Sequence, residues 1–554
     1  MMPGRSAFGS APWTRAAYSN QATQSLFQGL LKDPEAERRY LLEVAPFDWA
    51  DTDAVVNLKY ADDEVFFTNA DGDYKVRLKA VIDYTNAIEI TGVSNAGSTV
   101  NVGPIEIAIE DDDDDSILEY YWDCRTYEVF LGAPGWARSE YGTIQKGEVV
   151  DVEWSEAASG DTLRLLAQDA TLILQQPLSP TRYLGTGGIE GTEDMEGLRL
   201  PLSFGECKNI TPKRIDQVLP IYQWHDPASI SEALDNAYDI GYVLTPTAAG
   251  EVADVFVDSS ILFTADDIEN DRYVYDLANS VIRLSAEPQG LVTLDVKGDA
   301  NVAEGGYVST PADIAHRMAR LTGILATKFD EGSRTSVNRF ASAPIGYFSP
   351  AGSEITMLAA MNAVMETPWG RITGSRSGLI RFVRIQIGDL PPSRSISNDQ
   401  VQSAQRVRPP ASAKTLQVRY DRAWTVQPQG TLGLKVPVDA PAHAAFIEEA
   451  LRSLPPETDA ATTDDRNNSK DVVIDTLFVN TADAQAEQTR RFNLLKGLTH
   501  YYVVSVTGHM HRIESGDLVN LQYDRWGLEN GKPFVVRSVN DNSSTQTTRL
   551  ELWG

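Results

Sequence analysis

The amino-acid sequence predicts a mainly β protein with smaller α+β parts, in which two β-barrel domains bracket a mixed α/β centre. Two observations predict this fold. Near both ends of the chain, segments rich in Val, Ile, Leu and Tyr alternate apolar with polar residues, and Gly, Asn, Asp or Ser fill the gaps. Helix-capping signals concentrate in the middle. Many short strands at such spacing are typical of a barrel or a sandwich.

The first β-rich region runs from about Arg39 to Pro177, and a Gly-rich connection, Pro177–Pro212, follows it. A polar, proline-bearing stretch, Pro391–Pro410, is expected to cross between domains. The strands expected along the chain are Val76–Tyr84, Ile105–Glu110, Thr126–Leu131, Glu148–Trp154, Thr162–Gln175, Asp254–Val257, Tyr273–Asp276, Val281–Leu284, Leu291–Val296, Trp369–Thr373, Leu379–Gln386, Thr415–Tyr420, Asp475–Val479, Tyr501–Thr507, Leu518–Tyr523, Phe534–Val539 and Thr548–Trp553.

Helices and turns are predicted from caps and breakers. Thr310 as N-cap, Pro311 at the first helical position and a stop at Gly323 predict a helix, since they satisfy free amides and end the turn. Ser375–Gly378 predicts a hairpin turn, and Asn530-Gly531 predicts a tight turn between two strands. Further helices are expected at Ser229–Ile240, Ser353–Glu366 and Ala482–Lys496.

These segments divide the chain into five parts. We expect an N-terminal segment (1–38), a first β-barrel domain (39–200), a β-rich inserted module (201–300), a mixed α/β domain (301–395) and a second β-barrel domain (396–554). A length of 554 residues and 42% hydrophobic residues provide material for several packed cores.

The formal net charge of −30 is the strongest global feature of the composition. Phosphate backbones attract basic surfaces and are repelled by acidic ones, so tight DNA binding by the protein as a whole is not expected. The negative charge either keeps the protein soluble or forms an acidic wall past which DNA slides without binding. Charge alone does not distinguish these two interpretations.

The cysteine count and the hydropathy pattern exclude several classes of protein. Only Cys124 and Cys207 are present, which excludes a disulfide framework and a four-cysteine zinc or iron–sulfur site. Met1–Ala16 lacks the apolar core of a signal peptide. Ile355–Met365 is too short for a membrane helix and contains Asn362. We therefore expect a soluble protein without a membrane span, made in the cytoplasm.

No catalytic signature is complete. Gly374–Gly378 places Arg376 where a nucleophile elbow needs serine, and the glycines from Gly185 onward lack the last glycine of a dinucleotide fingerprint. A phosphate-binding loop and a His-Glu-x-x-His motif are also missing. The sequence thus predicts no enzyme, with no catalytic, cofactor-binding or metal-ligating residues and no cofactor. Paired carboxylates for glycoside cleavage cannot be singled out.

Two weaker metal signals have a simpler structural interpretation. His509 and His511 would share one face of a strand, but no third ligand lies nearby, so packed or solvated histidines are expected. The run Asp111–Asp115 could recruit calcium, yet it lacks the spacing of a calcium loop, and an exposed loop is the expected interpretation.

Several segments together resemble one protein family, the central tail hub or baseplate hub (tail tip) proteins of long-tailed bacteriophages. In their first domain a strand, an acidic loop and a strand beginning Trp-Asp recur, and their last domain has a Tyr…Trp-Thr strand and a closing barrel. The resembling segments are spread over most of the length of the chain: Ile105–Leu118, Trp122–Gly132, Gly187–Gly191, Pro201–Pro212, Tyr222-Gln223, Tyr238–Gly241, Tyr420–Gln427, Gly516–Leu521, Arg525–Leu528, Asn530–Lys532 and Leu550–Gly554.

The resemblance implies two tail-tube-like barrel domains and a homotrimer, whose six barrels form a pseudo-sixfold ring that continues the tail tube. It implies a distal tail protein and the tube above the ring, tip, fibre or receptor-binding proteins below it, and DNA passage without specific binding. The expected location is the virion tail tip, after assembly in the host cytoplasm. Some relatives hold an iron–sulfur cluster, for which this chain lacks the cysteines.

Two alternatives come from other classes. A receptor- or carbohydrate-binding tail protein would use exposed aromatics, of which the chain has many: 10 Trp, 21 Tyr and 17 Phe. Most of these stand in strands with apolar alternation, which favours core positions. The other alternative is a tail-associated peptidoglycan hydrolase.

Overall fold

The computed structural model describes residues 26–31 and 36–554, except for 28, 49–53, 68–70, 81–82, 91–97, 110–116, 118–119, 124, 156–160, 389–390, 408–411, 428–447, 460–468, 498, 509 and 543–546. Within these residues the chain is mainly β, with two large sheets near its ends and smaller sheets and helices between them. The predicted fold class is confirmed. No helix among these residues is long and apolar enough to cross a membrane.

The first large sheet closes on itself through one segment, residues 75–80. One piece of this segment pairs with Leu58–Ala61 and the other pairs with Ile105–Ala108. Arg77, between the two pieces, hydrogen-bonds to both neighbouring strands through its backbone. In spatial order the strands of this first barrel are Lys75–Val76, Leu58–Ala61, Arg39–Val44, Arg125–Gly132, Gly142–Ser155, Thr162–Gln168, Ile105–Ala108 and Leu78–Ala80.

The second large sheet closes in the same way through residues 394–407. Arg394–Ile396 pairs with Leu518–Tyr523, and Val401–Val407 pairs with Tyr501–Thr507. The spatial order in this second barrel is Arg394–Ile396, Leu518–Tyr523, Leu528–Asn542, Thr547–Trp553, Tyr501–Thr507 and Val401–Val407. The expectation that Pro391–Pro410 merely crosses between domains was wrong. Every side chain of Val401–Val407 is exposed or half-exposed, so this strand lacks apolar alternation, and in the short strand Arg394–Ile396 only Ile396 is buried.

A hairpin from the N-terminal region joins the two barrels. Its strands, Asp83–Ile88 and Ser98–Val102, directly follow the closing segment of the first barrel. Asp83–Ile88 pairs antiparallel with Ser538–Asn542 of the second barrel. The chain therefore contributes a strand from its N-terminal region to the second barrel, where Thr85 lies opposite Asn540, 455 positions away.

Each barrel has its own apolar core, built by the alternation that predicted the strands. Val129, Val149 and Leu165 are fully buried in the first barrel, and Val504 and Leu550 in the second. Burying one such side chain stabilises a fold by about 1.5–3 kcal/mol.

Two five-stranded sheets lie between the barrels in sequence. The first comprises Tyr242–Leu244, Ser231–Asp239, Val292–Asp299, Leu202–Ile210 and Gly346–Ser349. The second comprises Lys213–Arg214, Ile221–Gln223, Val281–Leu284, Tyr273–Asp276 and Pro246–Glu251. The predicted helix Ser229–Ile240 was wrong, because Ser231–Asp239 is paired along its length with Val292–Asp299 and this pairing overrides local helix propensity. The strand predicted at Asp254–Val257 is irregular chain.

The remaining strands form small sheets. They are the pairs Phe47–Asp48 with Ala54–Val55 and Gly370–Gly374 with Ile380–Arg384, and a four-stranded sheet of Arg452–Ser453, Ala413–Tyr420, Glu457–Thr458 and Lys470–Asp475. The hairpin predicted around Ser375–Gly378 is confirmed. The tight turn predicted at Asn530-Gly531 was wrong, because that pair lies inside Leu528–Asn542 at a register shift opposite Leu521–Tyr523.

Three of the four predicted helices are confirmed. The capped helix runs from Pro311 to Leu321, and the other two are Met357–Glu366 and Thr481–Leu495. Thr310 precedes the first of them, but its hydroxyl donates to Asp313 rather than capping the backbone. Further α-helices among the described residues include Ser259–Leu262, Ala265–Glu269 and Glu331–Phe340, and single 3-10 turns include Arg138–Glu140, Leu172–Gln175, Gly188–Glu190, Glu193–Met195, Pro227–Ser229, Val302–Glu304, Ala326–Lys328 and Asn398–Gln400.

Candidate functional site: a buried polar junction

The tip of the central hairpin, Ser375–Gly378, lies between the two barrels. The Lys146 N–H, on a strand of the first barrel, donates to the Arg376 carbonyl at 2.6 Å. The Arg376 N–H in turn donates to Glu514 Oε1, in the second barrel, at 2.8 Å. One residue of the centre thus bonds through its backbone to both barrels.

The Arg376 side chain forms a buried ion pair. Its Nη1 lies 2.8 Å from Asp541 Oδ2, and the exposed fractions of the two side chains are 3% and 0%. The guanidinium also lies over the Tyr84 ring, 4.1 Å from its centroid. Burial lowers the pKa of Arg376, but the nearby Asp541 and Glu514 carboxylates outweigh it and raise the pKa above its ordinary value.

The hairpin strand Asp83–Ile88 contributes two polar side chains to the same place. Asn86 Nδ2 donates to the Gly374 carbonyl at 3.0 Å, and Asn86 Oδ1 accepts from the Ser515 hydroxyl at 2.5 Å. The Tyr84 hydroxyl donates to Glu514 Oε2 at 3.0 Å. Burial, followed by the Glu514 charge, raises the Tyr84 pKa well above its ordinary value, so this hydroxyl stays protonated.

We call the group Tyr84, Asn86, Arg376, Glu514 and Asp541 the polar junction. It brings together residues from the N-terminal hairpin that begins with Asp83–Ile88, from the central hairpin and from the second barrel. Removing one partner of a buried ion pair costs about 3–5 kcal/mol, because the other charge stays buried without compensation. The polar junction therefore fixes how the two barrels sit against each other.

Neither metal signal of the sequence leads to a site among the described residues. His511 is buried and its Nδ1 lies 3.2 Å from Asp541 Oδ2, next to the polar junction. His509 and the run Asp111–Asp115 lie outside the described residues. Within the part of the chain that the structure describes, no group of three His, Cys, Asp or Glu side chains could hold a metal ion.

A contact between serine and histidine in the central sheets has a structural role. His225 Nδ1 lies 3.1 Å from Ser203 Oγ, and Ser229 Oγ, beside His225 Nε2, donates to Asp299. These side chains are buried, and burial lowers the pKa of His225 to about 4. The histidine is neutral at pH 7, and Asp299 is paired with Arg317, so the cluster ties strands together.

Two clefts of the described surface carry polar side chains, and the second of them also has apolar walls. One of about 500 Å³ lies beside the closing segment of the second barrel and is lined by Ser393, Arg394, Ser395, Ser397, Asp399, Gln400 and Arg512. A second, of about 320 Å³, lies between Glu331–Phe340 and the central hairpin. Neither lining includes a histidine or a cysteine.

The sequence did not predict the polar junction. In the sequence, Arg376 is distinguished only by standing where a nucleophile elbow would need serine. Its partner Asp541 lies 165 positions away. The one signal in the sequence is a charged residue at the tip of a predicted hairpin. Nothing local indicates that it is buried.

Comparisons with known proteins give distant structural neighbours. No protein-family model matches the sequence, and no curated protein matches it. Similar solved structures include a tail protein from Neisseria meningitidis MC58, at 10% identity and a TM-score of 0.37, covering 93% of this chain and 96% of that one. Another is the 43 kDa tail protein of prophage MuSo2 from Shewanella oneidensis, at 10% identity and a TM-score of 0.36, covering 93% and 98%.

A third neighbour is a chain of the native gene transfer agent virion, at 11% identity and a TM-score of 0.37, covering 70% of this chain and 92% of that one. These neighbours are thus tail proteins and a component of a virion. At such TM-scores and identities the similarity assigns no family to the chain. The proposals that follow rest on the geometry of the chain itself.

Proposed function

We propose that this chain is the structural hub of a phage tail tip or baseplate. Three copies form a pseudo-sixfold ring that continues the tail tube and lets DNA pass during ejection. The observation that supports this most is that one chain contains two closed barrels of the same construction, held side by side by a hairpin and a buried ion pair.

The likeness of the two barrels extends to strand order. Leu78–Ala80, Ile105–Ala108, Thr162–Gln168, Gly142–Ser155 and Arg125–Gly132 neighbour one another in the first barrel. Val401–Val407, Tyr501–Thr507, Thr547–Trp553, Leu528–Asn542 and Leu518–Tyr523 do so in the second, and the order along the chain is the same in both sets. Two like units in each chain are what a trimer with pseudo-sixfold symmetry requires.

The charge is consistent with a passage for DNA. A net charge of −30 repels phosphates, so a ring built from this chain would not retain DNA in its channel. In this proposal the protein is not an enzyme and needs no cofactor. It lies in the virion, with the distal tail protein and tube above it and tip, fibre or receptor-binding proteins below it. The domain boundaries 39–200, 201–300, 301–395 and 396–554 belong to the same proposal, with the start of the second barrel set at Arg394 so that the strand Arg394–Ile396 stays whole.

The mass of the assembled particle tests this proposal. Mass photometry of the purified chain over a range of concentrations should show a species of three times 60.8 kDa. Particles of single-chain mass at every concentration, or elongated fibres, would contradict the ring. Clearing of peptidoglycan in a zymogram would contradict a purely structural role, and a zymogram without clearing is expected.

A further inference from the structure

The long strand of the second barrel, Leu528–Asn542, changes partner along its length. Its pairing with Leu518–Tyr523 ends at Val535. Beyond that point, Ser538–Asn542 keeps Thr547–Trp553 on one side and gains the hairpin strand on the other. The hairpin thus continues the ladder where the first partner stops.

The long strand of the first barrel, Gly142–Ser155, outruns its partner in the same way. Its pairing with Arg125–Gly132 ends at Val149. Beyond that point, Asp151–Ser155 pairs with Thr162–Leu166 on one side. On the other side, no strand of the described residues pairs with it.

The two long strands correspond in detail. In the first barrel the register shifts between Val149 and Asp151, and in the second it shifts between Val536 and Ser538. Both shifts stand at the point where the strand leaves its first partner. Residues 151–155 therefore occupy the position that residues 538–542 occupy in the second barrel, where the hairpin is bound.

We call the side of Asp151–Ser155 on which no described strand pairs the open side. The backbone hydrogen bonds show which amides face it. The Ile109 N–H donates to the Asp161 carbonyl, so Asp161 and every second residue after it bond to that neighbouring strand. The residues in between, Arg164 among them, bond to the long strand on the other side. Arg164 is paired there with Glu153, so the Glu153 amide points towards Thr162–Gln168. The amide of Val152 consequently points to the open side.

The open side has the character of a strand edge. The Val152 N–H bonds to the carboxylate of the preceding residue, Asp151, at 2.8 Å, instead of to a neighbouring strand. The Trp154 amide, two residues on, faces the same way. Asp151 and Glu153 are exposed, and charges on an edge strand oppose indiscriminate aggregation.

We propose that the edge Asp151–Ser155 binds a β-strand from a second copy of this chain. The inference deepens the proposed ring and rests on it. Within one chain the first barrel gives a strand to the second. In a closed ring of alternating barrels, the second barrel of one copy gives a strand to the first barrel of the next.

The topology indicates which strand is given. The donated hairpin follows the closing segment of the first barrel, and the four-stranded sheet that begins at Ala413 follows the closing segment of the second. Its strand Lys470–Asp475 pairs with Ala413–Tyr420 on one side, and no described strand pairs with it on the other. Val473 in this strand is 50% exposed. Lys470–Asp475 is the donor in this proposal.

Hydrogen–deuterium exchange on the wild-type chain tests the edge directly. The amides of Val152 and Trp154 should exchange at least about tenfold more slowly in the assembled particle than in the monomer, because they enter a β ladder. Particles that assemble while these amides exchange as in the monomer would overturn the edge proposal and leave the ring standing. A chain that never assembles would overturn the ring and the edge proposal together.

Two substitutions at one position separate the backbone from the side chain. Val152→Pro removes the amide that faces the open side and leaves the bond pattern to Thr162–Leu166, so it should weaken assembly at least about tenfold. Val152→Ala keeps the amide and should assemble like the wild type. Equal assembly by both variants would overturn the proposal, provided that far-ultraviolet circular dichroism shows both folded.

A mixture of two variants, each with one accessible cysteine, tests the donor. Glu153→Cys and Val473→Cys, each carrying Cys124→Ser and keeping the buried Cys207, are mixed and oxidised under assembling conditions. A disulfide-linked pair containing one of each variant is expected. Its absence from assembled particles, with Val152 and Trp154 protected, would overturn the choice of Lys470–Asp475.

Discussion

The two barrels of this chain share one strand order but differ in what pairs with the end of their long strand. Each is closed by one segment that pairs with strands at both edges, residues 75–80 in the first and 394–407 in the second. The long strand of the second barrel is covered at its end by a hairpin, whereas no strand of the described residues covers that of the first. In our proposal, each barrel takes one strand from outside itself, and within one chain only the second barrel receives it from the described residues.

The same difference explains where the buried charges lie. Asp541, in the covered part of the second barrel, is fully buried and paired with Arg376. Trp154 stands at the corresponding position of the first barrel and is half-buried. Burial of a carboxylate is tolerated only where the hairpin and Arg376 surround it, since an unpaired buried charge is costly.

Breaking the buried ion pair should have the largest effect. Arg376→Ala removes the guanidinium that neutralises the buried Asp541 carboxylate and should lower the free energy of unfolding by about 3–5 kcal/mol, measured by chemical denaturation. The matched control is Arg419→Ala, which breaks an exposed pair with Asp475 and should cost less than about 1 kcal/mol. Equal losses would contradict the role of the polar junction.

Acid should destabilise the central sheets, because His225 is buried there. The pKa of His225 is lowered from 6.5 to about 4 in the folded chain, so the fold favours the neutral ring. The stabilisation is complete above pH 6.5 and is lost as the pH falls towards 4, amounting to on the order of 3 kcal/mol.

Urea denaturation at several pH values checks this prediction. His225→Gln should remove most of the slope between pH 6.5 and 4. If the variant keeps the slope of the wild type, His225 is not its source.

Loosening the hairpin should have a smaller effect. Asn86 makes buried hydrogen bonds to the central hairpin and to Ser515, and Asn86→Ala should lower stability by about 1–3 kcal/mol. Faster hydrogen exchange at residues 538–542 should accompany the loss, without a change at 162–168. Unchanged exchange at 538–542 would show that Asn86 does not secure the hairpin.

The contact of the central hairpin with the first barrel should show the smallest effect. Gly378 has a φ of +71°, and a Cβ there would lie 3.0 Å from the Lys146 carbonyl oxygen. Gly388 also has a positive φ, +96°, but open space around it. Gly378→Ala should therefore lower the melting temperature more than Gly388→Ala, by a difference worth about 1 kcal/mol. Equal shifts would mean that the contact with Lys146 does not matter.

Much of this fold is predictable from the sequence, because most strands of the barrels have one apolar face. Tyr273–Asp276 and Val281–Leu284 were predicted with their observed bounds, and the helix after Thr310 was predicted from its proline and its stop at Gly323. Local composition gives the wrong secondary structure where pairing with a neighbouring strand determines the conformation. Ser231–Asp239 has residues at helical spacing but is held as a strand by its neighbour.

The polar junction was not predictable, because its members are distant in sequence. Asn86 and Glu514 are separated by 428 positions, and no local pattern marks either residue as buried. The Asn530-Gly531 pair shows the same limit on a smaller scale. It has the composition of a turn, yet Gly531 lies inside a strand, where a Cβ would meet the Asn520 side chain.

Electron microscopy of the assembled particle tests the central claim most directly, namely that the two barrels are like units of one ring. We expect rings with six lobes around a central hole, in which lobes of two slightly different kinds alternate. Rings with three lobes, or particles in which the two barrels of each chain lie at different heights along the axis, would contradict it.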